Sequence, residues 1–399
     1  MLRRNSRLGV SVLLSFSIAA TMLISSASAK RSTPKSWAKP EIKVVVAHGL
    51  MAKSVAKFKP NAKMTRQATK EVLSALPTPE IDTTTETDTT GTTTGTAETT
   101  TTPVVTDPSR DPSTGTTTTE TAGGATPGLP RAGAAMALST FDAALVRQLA
   151  LTEAADRFLA AARDAGLKPP KRFGTETVAR LLGLRINHPV SQDKLELLPG
   201  QKMNRAEAAY SFAQMLSFDD WEAQSVDQAS TVFELPDLNV WQRRVLRYAV
   251  KFIGYPYIWG GISPKRQTLF GKRVPGGFDC SGLIWRVYKL HKYPHSKKLS
   301  SVIRGRTTYV MSGEVGRRKR IRFDNLQPAD VLFFGARGVH SKPSQVNHTG
   351  IYLGNGWFIQ SSGNGVDVVP LEGWYAQRFA WARRPLAEAG LVNVYSVSG

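Results

Sequence analysis

Residues 82–125 are mostly threonine with Gly, Glu, Asp and Pro and almost no apolar side chains. A stretch of that composition cannot bury enough surface to offset chain entropy. Whatever folds must therefore do so on either side of it. Residues 80–136 read as a disordered linker, long enough to let the module before it move independently of the rest. Ahead of it, residues 1–29 carry Arg3, Arg4 and Arg7, an apolar run from Leu8 to Ile24, and Ala27-Ser-Ala29. That is the layout of a secretory signal, with a run short for a membrane span. The expectation is an exported chain with no stable membrane span after cleavage.

The flanks of the linker match each other. Gly49-Leu-Met, Phe58-Lys-Pro and Lys63-Met-Thr-Arg66 reappear later as Gly183-Leu-Arg, Leu197-Leu-Pro and Lys202-Met-Asn-Arg205, each followed by an amphipathic run. Thr65 and Asn204 suit helix N-caps, and Glu207 would complete a capping box with Asn204. Apolar residues at 141, 145, 149, 158, 159 and 162 predict further helices that pack with residues 175–216. This gives two all-α modules, residues 30–79 and 137–235, with residues 219–238 read as a connector. Both repeats resemble S-layer homology modules, whose Thr-Arg-Ala-Glu motif opens a helix. The resemblance implies that Arg66 and Arg205 meet an anionic wall polymer.

Residues 236–399 begin with a helix from Val240 through Ile253 and are enough chain to bury a separate core. They contain Cys280, the sole cysteine, which cannot close an intramolecular disulfide. After it, apolar residues at 283, 284, 287 and 290 mark one helix face. Asp279 fits the N-cap, so Cys280 sits in the first turn, where the helix dipole favours a thiolate. A thiol nucleophile needs a base and a group to orient that base. His291, His295 and His340 lie in surface-type stretches. His348 instead opens a strand that turns at Gly354-Asn-Gly356 and returns through Gln360. If those three residues form the loop, Leu353 pairs with Trp357, Gly350 with Gln360, and His348 stands diagonal to Gln360 on one face.

Tyr257-Ile-Trp-Gly-Gly261, Phe278-Asp-Cys-Ser-Gly-Leu283, Leu326-Gln-Pro-Ala-Asp330 and Asn347-His-Thr-Gly-Ile-Tyr-Leu-Gly354 together resemble the NlpC-type family of bacterial cell-wall cysteine peptidases. The resemblance implies an α+β, papain-like domain with a cysteine-bearing helix on an antiparallel sheet. It makes Cys280 the nucleophile and His348 the base, with Gln360 where the family usually has a second histidine. Tyr257, Asp279 and Ser281 fall at substrate-binding positions. Residues 263–276 are an insertion relative to the family and are expected to rim the site. Arg306-Thr-Thr308 resembles a family Arg-Thr-Ser and reads as structural.

The expected activity is hydrolysis of amide bonds in peptidoglycan stem peptides, of the D-γ-glutamyl–diaminopimelate type, without metal or cofactor. The alternatives are an N-acetylmuramoyl-L-alanine amidase and a wall-binding scaffold without activity. The net charge of +21 is concentrated between residues 281 and 323, where Glu314 is the only acid against twelve Lys and Arg. With export, that favours anionic wall polymers over nucleic acid as partners.

Overall fold

The computed structural model describes residues 36–76 and 133–391. The secretory signal at 1–29 and linker residues 80–132 lie outside the described residues. The α-helices of the first part run in order as α1 (Lys39–Ala47), α2 (Arg66–Leu73), α3 (Leu138–Gln148), α4 (Thr152–Asp164), α5 (Phe173–Leu181), α6 (Arg205–Met215), α7 (Asp220–Thr231) and α8 (Val240–Ala249). None of the described helices is long and apolar enough to cross a membrane.

The repeat seen in the sequence is a repeat of structure. Thr65 accepts from the Ala68 N–H at 3.1 Å and Asn204 from the Glu207 N–H at 3.0 Å, capping α2 and α6. The capping box forms only in part, because the Glu207 carboxylate turns to His188, 3.3 Å away. The two copies also grip each other. Lys63 bridges Asn204, Thr65 bridges Ala135 and Ala137 bridges Lys202. The Met136 N–H donates to the Met64 carbonyl at 2.8 Å, and the Met203 N–H to that of Met136 at 3.1 Å. Residues 133–136, expected within the linker, are therefore part of this fold. The first module does not stand apart either: its Ile42, Val45 and Met64 lie in one apolar core with Phe141 and Phe212. Each repeat alone would leave an apolar face in water, and pairing buries both.

The supposed connector is a helix. Asp219 and Glu222 form a complete capping box for α7, which buries Ala223 and Val226. Phe158 and Phe233 then pack edgewise on Trp357 of the C-terminal part, with centroids 5.8 and 4.9 Å away.

In the C-terminal part, strand β1 (Ile262–Ser263) pairs with β4 (Gly277–Phe278), and between them the insertion forms a hairpin, β2 (Gln267–Leu269) and β3 (Lys272–Val274). Helix α9 (Cys280–Ile284) follows and continues as a wider π-helical segment to Leu290. A five-stranded antiparallel sheet has the order β8 (Gly365–Pro370), β7 (Trp357–Ser362), β6 (Val346–Gly354), β5 (Val331–Gly335), β9 (Phe379–Arg383). One face packs Phe333, Ile351 and Ile359 with Leu283 and Val287 of the cysteine-bearing helix. The other gathers Phe334, Phe358, Tyr375 and Phe379. This is the expected α+β arrangement of a helix on an antiparallel sheet.

Candidate active site

Cys280 opens α9 after Asp279, whose extended backbone and Oδ1, accepting from the Gly282 N–H at 2.5 Å, make the expected N-cap. The first turn is pressed against the Trp-Gly-Gly loop. A Cβ on Gly282 would lie 1.8 Å from the Gly261 carbonyl oxygen, so only glycine allows this approach. Arg306 locks the corner: its guanidinium reaches Asp279 Oδ1 and Oδ2 at 3.0 and 2.9 Å, Ser281 Oγ at 2.6 Å and the Gly261 carbonyl at 3.2 Å. The Gly260 N–H also donates to Asp279 Oδ2, at 2.9 Å. Asp279 and Ser281, expected at the substrate, are thus buried and use their polar atoms to join helix and loop. Arg306, whose segment reads from the sequence as structural, makes these contacts with its side chain partly exposed.

The Cys280 thiol is only 8 % exposed. Burial and the Asp279 carboxylate push it up to about 12, while the backbone N–H groups of Ser281 and Thr349 and the charge of Arg306 pull it down. The expected resting thiolate is therefore not favoured. Burial with an adjacent carboxylate outweighs the backbone N–H groups at the helix start. The contact with Thr349 sets the sulfur beside the strand residue that follows His348.

His348 and Gln360 stand on the sheet face that carries Phe334 and Tyr375. His348 Nε2 lies 2.5 Å from Gln360 Oε1, and Gln360 Nε2 donates to Tyr375 Oη at 2.6 Å. With the amide so arranged, its oxygen can only accept. Nε2 then carries the proton and Nδ1 keeps the lone pair that a thiol proton needs. Burial pushes the imidazole down to about 4, Gln360 opposes, and the Arg378 charge adds to the depression. Burial thus favours the uncharged form of both the thiol and the imidazole.

The register that joins His348 to Gln360 arises differently from expectation. Gly350 does pair with Gln360, but Trp357 pairs with Gly354 rather than Leu353, with a bulge between Tyr352 and Gly354. Asn355 (φ 46°) and Gly356 (φ 78°) make a tight two-residue turn. The bulge adds back the residue that the shorter turn removes.

Tyr257 is half-buried with its hydroxyl held protonated chiefly by burial, with the Asp279 and Asp193 carboxylates adding to it. Asp193 and Asn187 come from the helical part and were not foreseen. With its side-chain amide turned so that the nitrogen faces the acceptors, Asn187 donates to the Tyr257 carbonyl at 2.9 Å and to Glu196 at 3.1 Å, and Asp193 accepts from the Trp259 backbone. Their signal is purely tertiary, since both precede Cys280 by more than eighty residues. Of the two arginines expected at a wall polymer, Arg66 is exposed. Arg205 is not: it is 2 % exposed, with its guanidinium over the Phe58 ring and donating to the Met51 carbonyl. It ties one repeat to the other, and the wall-polymer role is withdrawn for it.

Residues 254–384 match the NlpC/P60 family, and residues 31–69 match the S-layer homology domain. The chain is 34 % identical over 135 residues to the murein DD-endopeptidase MepH of Escherichia coli, covering 33 % of this chain and 41 % of that one. It is 26 % identical over 147 residues to the gamma-D-glutamyl-L-lysine dipeptidyl-peptidase of Bacillus subtilis, covering 36 % and 41 %. The crystal structure of an NlpC/P60 family protein from Bacillus cereus aligns over 38 % of this chain and 42 % of that one, at 25 % identity and a TM-score of 0.28. The chain thus spans less than half the length of these relatives. The similarity to the NlpC/P60 family thus lies in residues 254–384, and that to the S-layer homology domain in residues 31–69.

Proposed function

We propose that this protein is a secreted, wall-associated cysteine peptidase that hydrolyses an amide bond within peptidoglycan stem peptides. The observation that carries the reading is the Cys280 thiol at a helix start beside a strand whose His348 is oriented by Gln360 at 2.5 Å. The relatives named above are an endopeptidase and a dipeptidyl-peptidase of such peptides, and support it.

In this mechanism the Cys280 proton passes to His348 Nδ1 as the sulfur attacks the scissile carbonyl carbon. Backbone N–H groups at the start of α9, that of Cys280 among them, hold the oxyanion. Nδ1 returns the proton to the leaving amine as the C–N bond breaks, leaving a thioester. Water, deprotonated by His348, then releases the acid and restores the thiol. A neutral resting pair means that proton transfer accompanies attack, with substrate excluding water from the charge that develops. Tyr257 borders the substrate beside the thiol.

The proposed bond is that between D-γ-glutamate and diaminopimelate. The exposed Arg317, Arg318 and Lys319 and the S-layer homology domain support retention at an anionic cell surface. Mass spectrometry of purified peptidoglycan digested by the full chain, with Cys280→Ala beside it, tests the reading. New fragments cut within the stem and absent from the variant are expected. Release of intact stems would make the protein an amidase, and fragments unchanged by Cys280→Ala would overturn the assigned nucleophile. No fragments at all would leave a wall-binding scaffold.

A further inference from the structure

Next to the Trp-Gly-Gly loop, whose Gly260 N–H holds the Asp279 cap of α9, the inserted hairpin and the helical part form a groove of about 770 Å³. One wall is the turn Val190–Leu195, which carries Lys194; the other is built by Trp259, Leu269 and Phe270, with Lys272 and Arg273 along it. Trp259 is 53 % exposed and Phe270 is 78 % exposed. Phe270 forms the hairpin tip with Gly271, both at positive φ, and its ring lies over Gly260. A Cβ there would come 3.0 Å from Phe270 Cε2, on a residue whose φ of +77° already favours glycine. The tip is thereby folded back onto the Trp-Gly-Gly loop, and the two aromatic side chains face the same space.

The opposite wall is fixed as firmly. Asp193 is buried, accepts from the Trp259 backbone and lies in the field of Lys272. The acid among the lining side chains is thus committed to the protein, and the three exposed cations are left to a ligand. The volume is that of a small-ligand site, with apolar and aromatic walls and a few polar groups. It begins two residues beyond Tyr257 in the same loop.

We propose that this groove is a subsite for the glycan-linked end of the substrate, in which a sugar ring stacks on Trp259 and Phe270 and stem carboxylates meet Lys272 and Arg273. A flat aromatic face meets the C–H face of a hexose over its whole area, whereas the charged, flexible side chains of a stem peptide offer no flat apolar face to it. The ligand chemistry that suits all the walls is a saccharide carrying a nearby carboxylate. The inference rests on the hydrolase reading for the identity of the substrate. It makes the hairpin the element that prefers strand-attached stems to free peptides.

The test uses the full chain with Cys280→Ala, so that binding is measured without turnover. Its probes are a disaccharide-tripeptide ending in diaminopimelate and the same tripeptide without sugar, by titration calorimetry. The disaccharide is expected to tighten Kd at least tenfold, and Phe270→Ala or Trp259→Ala to remove most of that advantage. Phe270 is a surface tip, so its loss leaves the fold intact, which a thermal melt checks. A sugar that adds no affinity, or an advantage that survives both substitutions, overturns the subsite. Failure of the hydrolase reading shows separately, as absence of turnover of both probes by the unsubstituted chain.

Discussion

Gln360 holds His348 with a dipole where a carboxylate would hold it with a charge, so the imidazolium formed during attack gains a hydrogen bond from it and no ion pair. The imidazole is already depressed to about 4 by burial. A neutral base is needed for attack, so kcat/KM is expected to fall with acid only as pH approaches that value. Gln360→Glu adds a negative charge, favours the imidazolium and should move the acid limb upward by a unit or more. Gln360→Ala should lower kcat by about 10–100-fold with KM little changed, as orientation is lost. A pH–rate profile of the three proteins decides both points.

Arg306 belongs to the same scale. It anchors the residue that caps the helix beginning at Cys280, through a pair that is largely buried on the aspartate side. Arg306→Ala should cost on the order of 3 kcal/mol by leaving Asp279 unpaired, measured by denaturant unfolding. Arg306→Lys should recover only part, because an ammonium cannot span Asp279, Ser281 and the Gly261 carbonyl together. The His348–Gln360 contact and the helix start at Cys280 could be drawn from the sequence because strand register and local pattern mark them. Arg306 could not be weighed there, since its worth depends on how a loop 27 residues away returns to it.

Among elements, the short helix bearing Cys280 is set by how closely it approaches its neighbours. Gly282→Ala would force a methyl into the Gly261 carbonyl and must push α9 off the loop. The expected result is a loss above about 2 kcal/mol in stability and a fall in kcat, even though the substitution favours helix formation by propensity. A gain in stability would show that the loop yields easily. The β6–β7 hairpin was legible in register though not in detail, because a bulge and a shorter turn give the same pairing as a longer loop. Helix α7 was missed for another reason. Its twelve residues bury only Ala223, Val226 and Ser230, a weak apolar stripe, and its strongest signal was the capping pair Asp219 and Glu222.

Across the whole molecule, the helical and C-terminal parts meet through buried charge. Arg180 pairs with Glu176 at 3.1 Å and donates to the Gly254 carbonyl at 2.7 Å and to that of Asn364. Nearby, His188 sits between Glu196 (3.1 Å) and Glu207 (3.3 Å), with the Trp37 ring against it edge-on at 4.5 Å. Burial opposes its charge, but the two carboxylates raise it to about 9. A folded value above the ordinary one means the protonated site stabilises fully below about pH 6.5 and is lost as pH rises through 9. Melting temperature should therefore fall between pH 7 and 9.5, corresponding to on the order of 2 kcal/mol. His188→Gln should flatten that slope; an unchanged slope would place the alkaline loss elsewhere. None of this network could be drawn from composition, which shows charges but not which of them are buried together.

The bridges between Lys63 and Asn204 and between Thr65 and Ala135 join stretches that lie on either side of residues 77–132. Uncut, the chain holds the first module at a fixed effective concentration near its seat, so dilution cannot part them. One cleavage in residues 77–132 would turn the same contact into a two-piece complex that separates below its own Kd. The surface-associating module would then leave the hydrolase-like domain by mass action alone. A protease acting on that segment, followed by washing, would thus convert a retained protein into a diffusible one without altering a residue of its candidate active site.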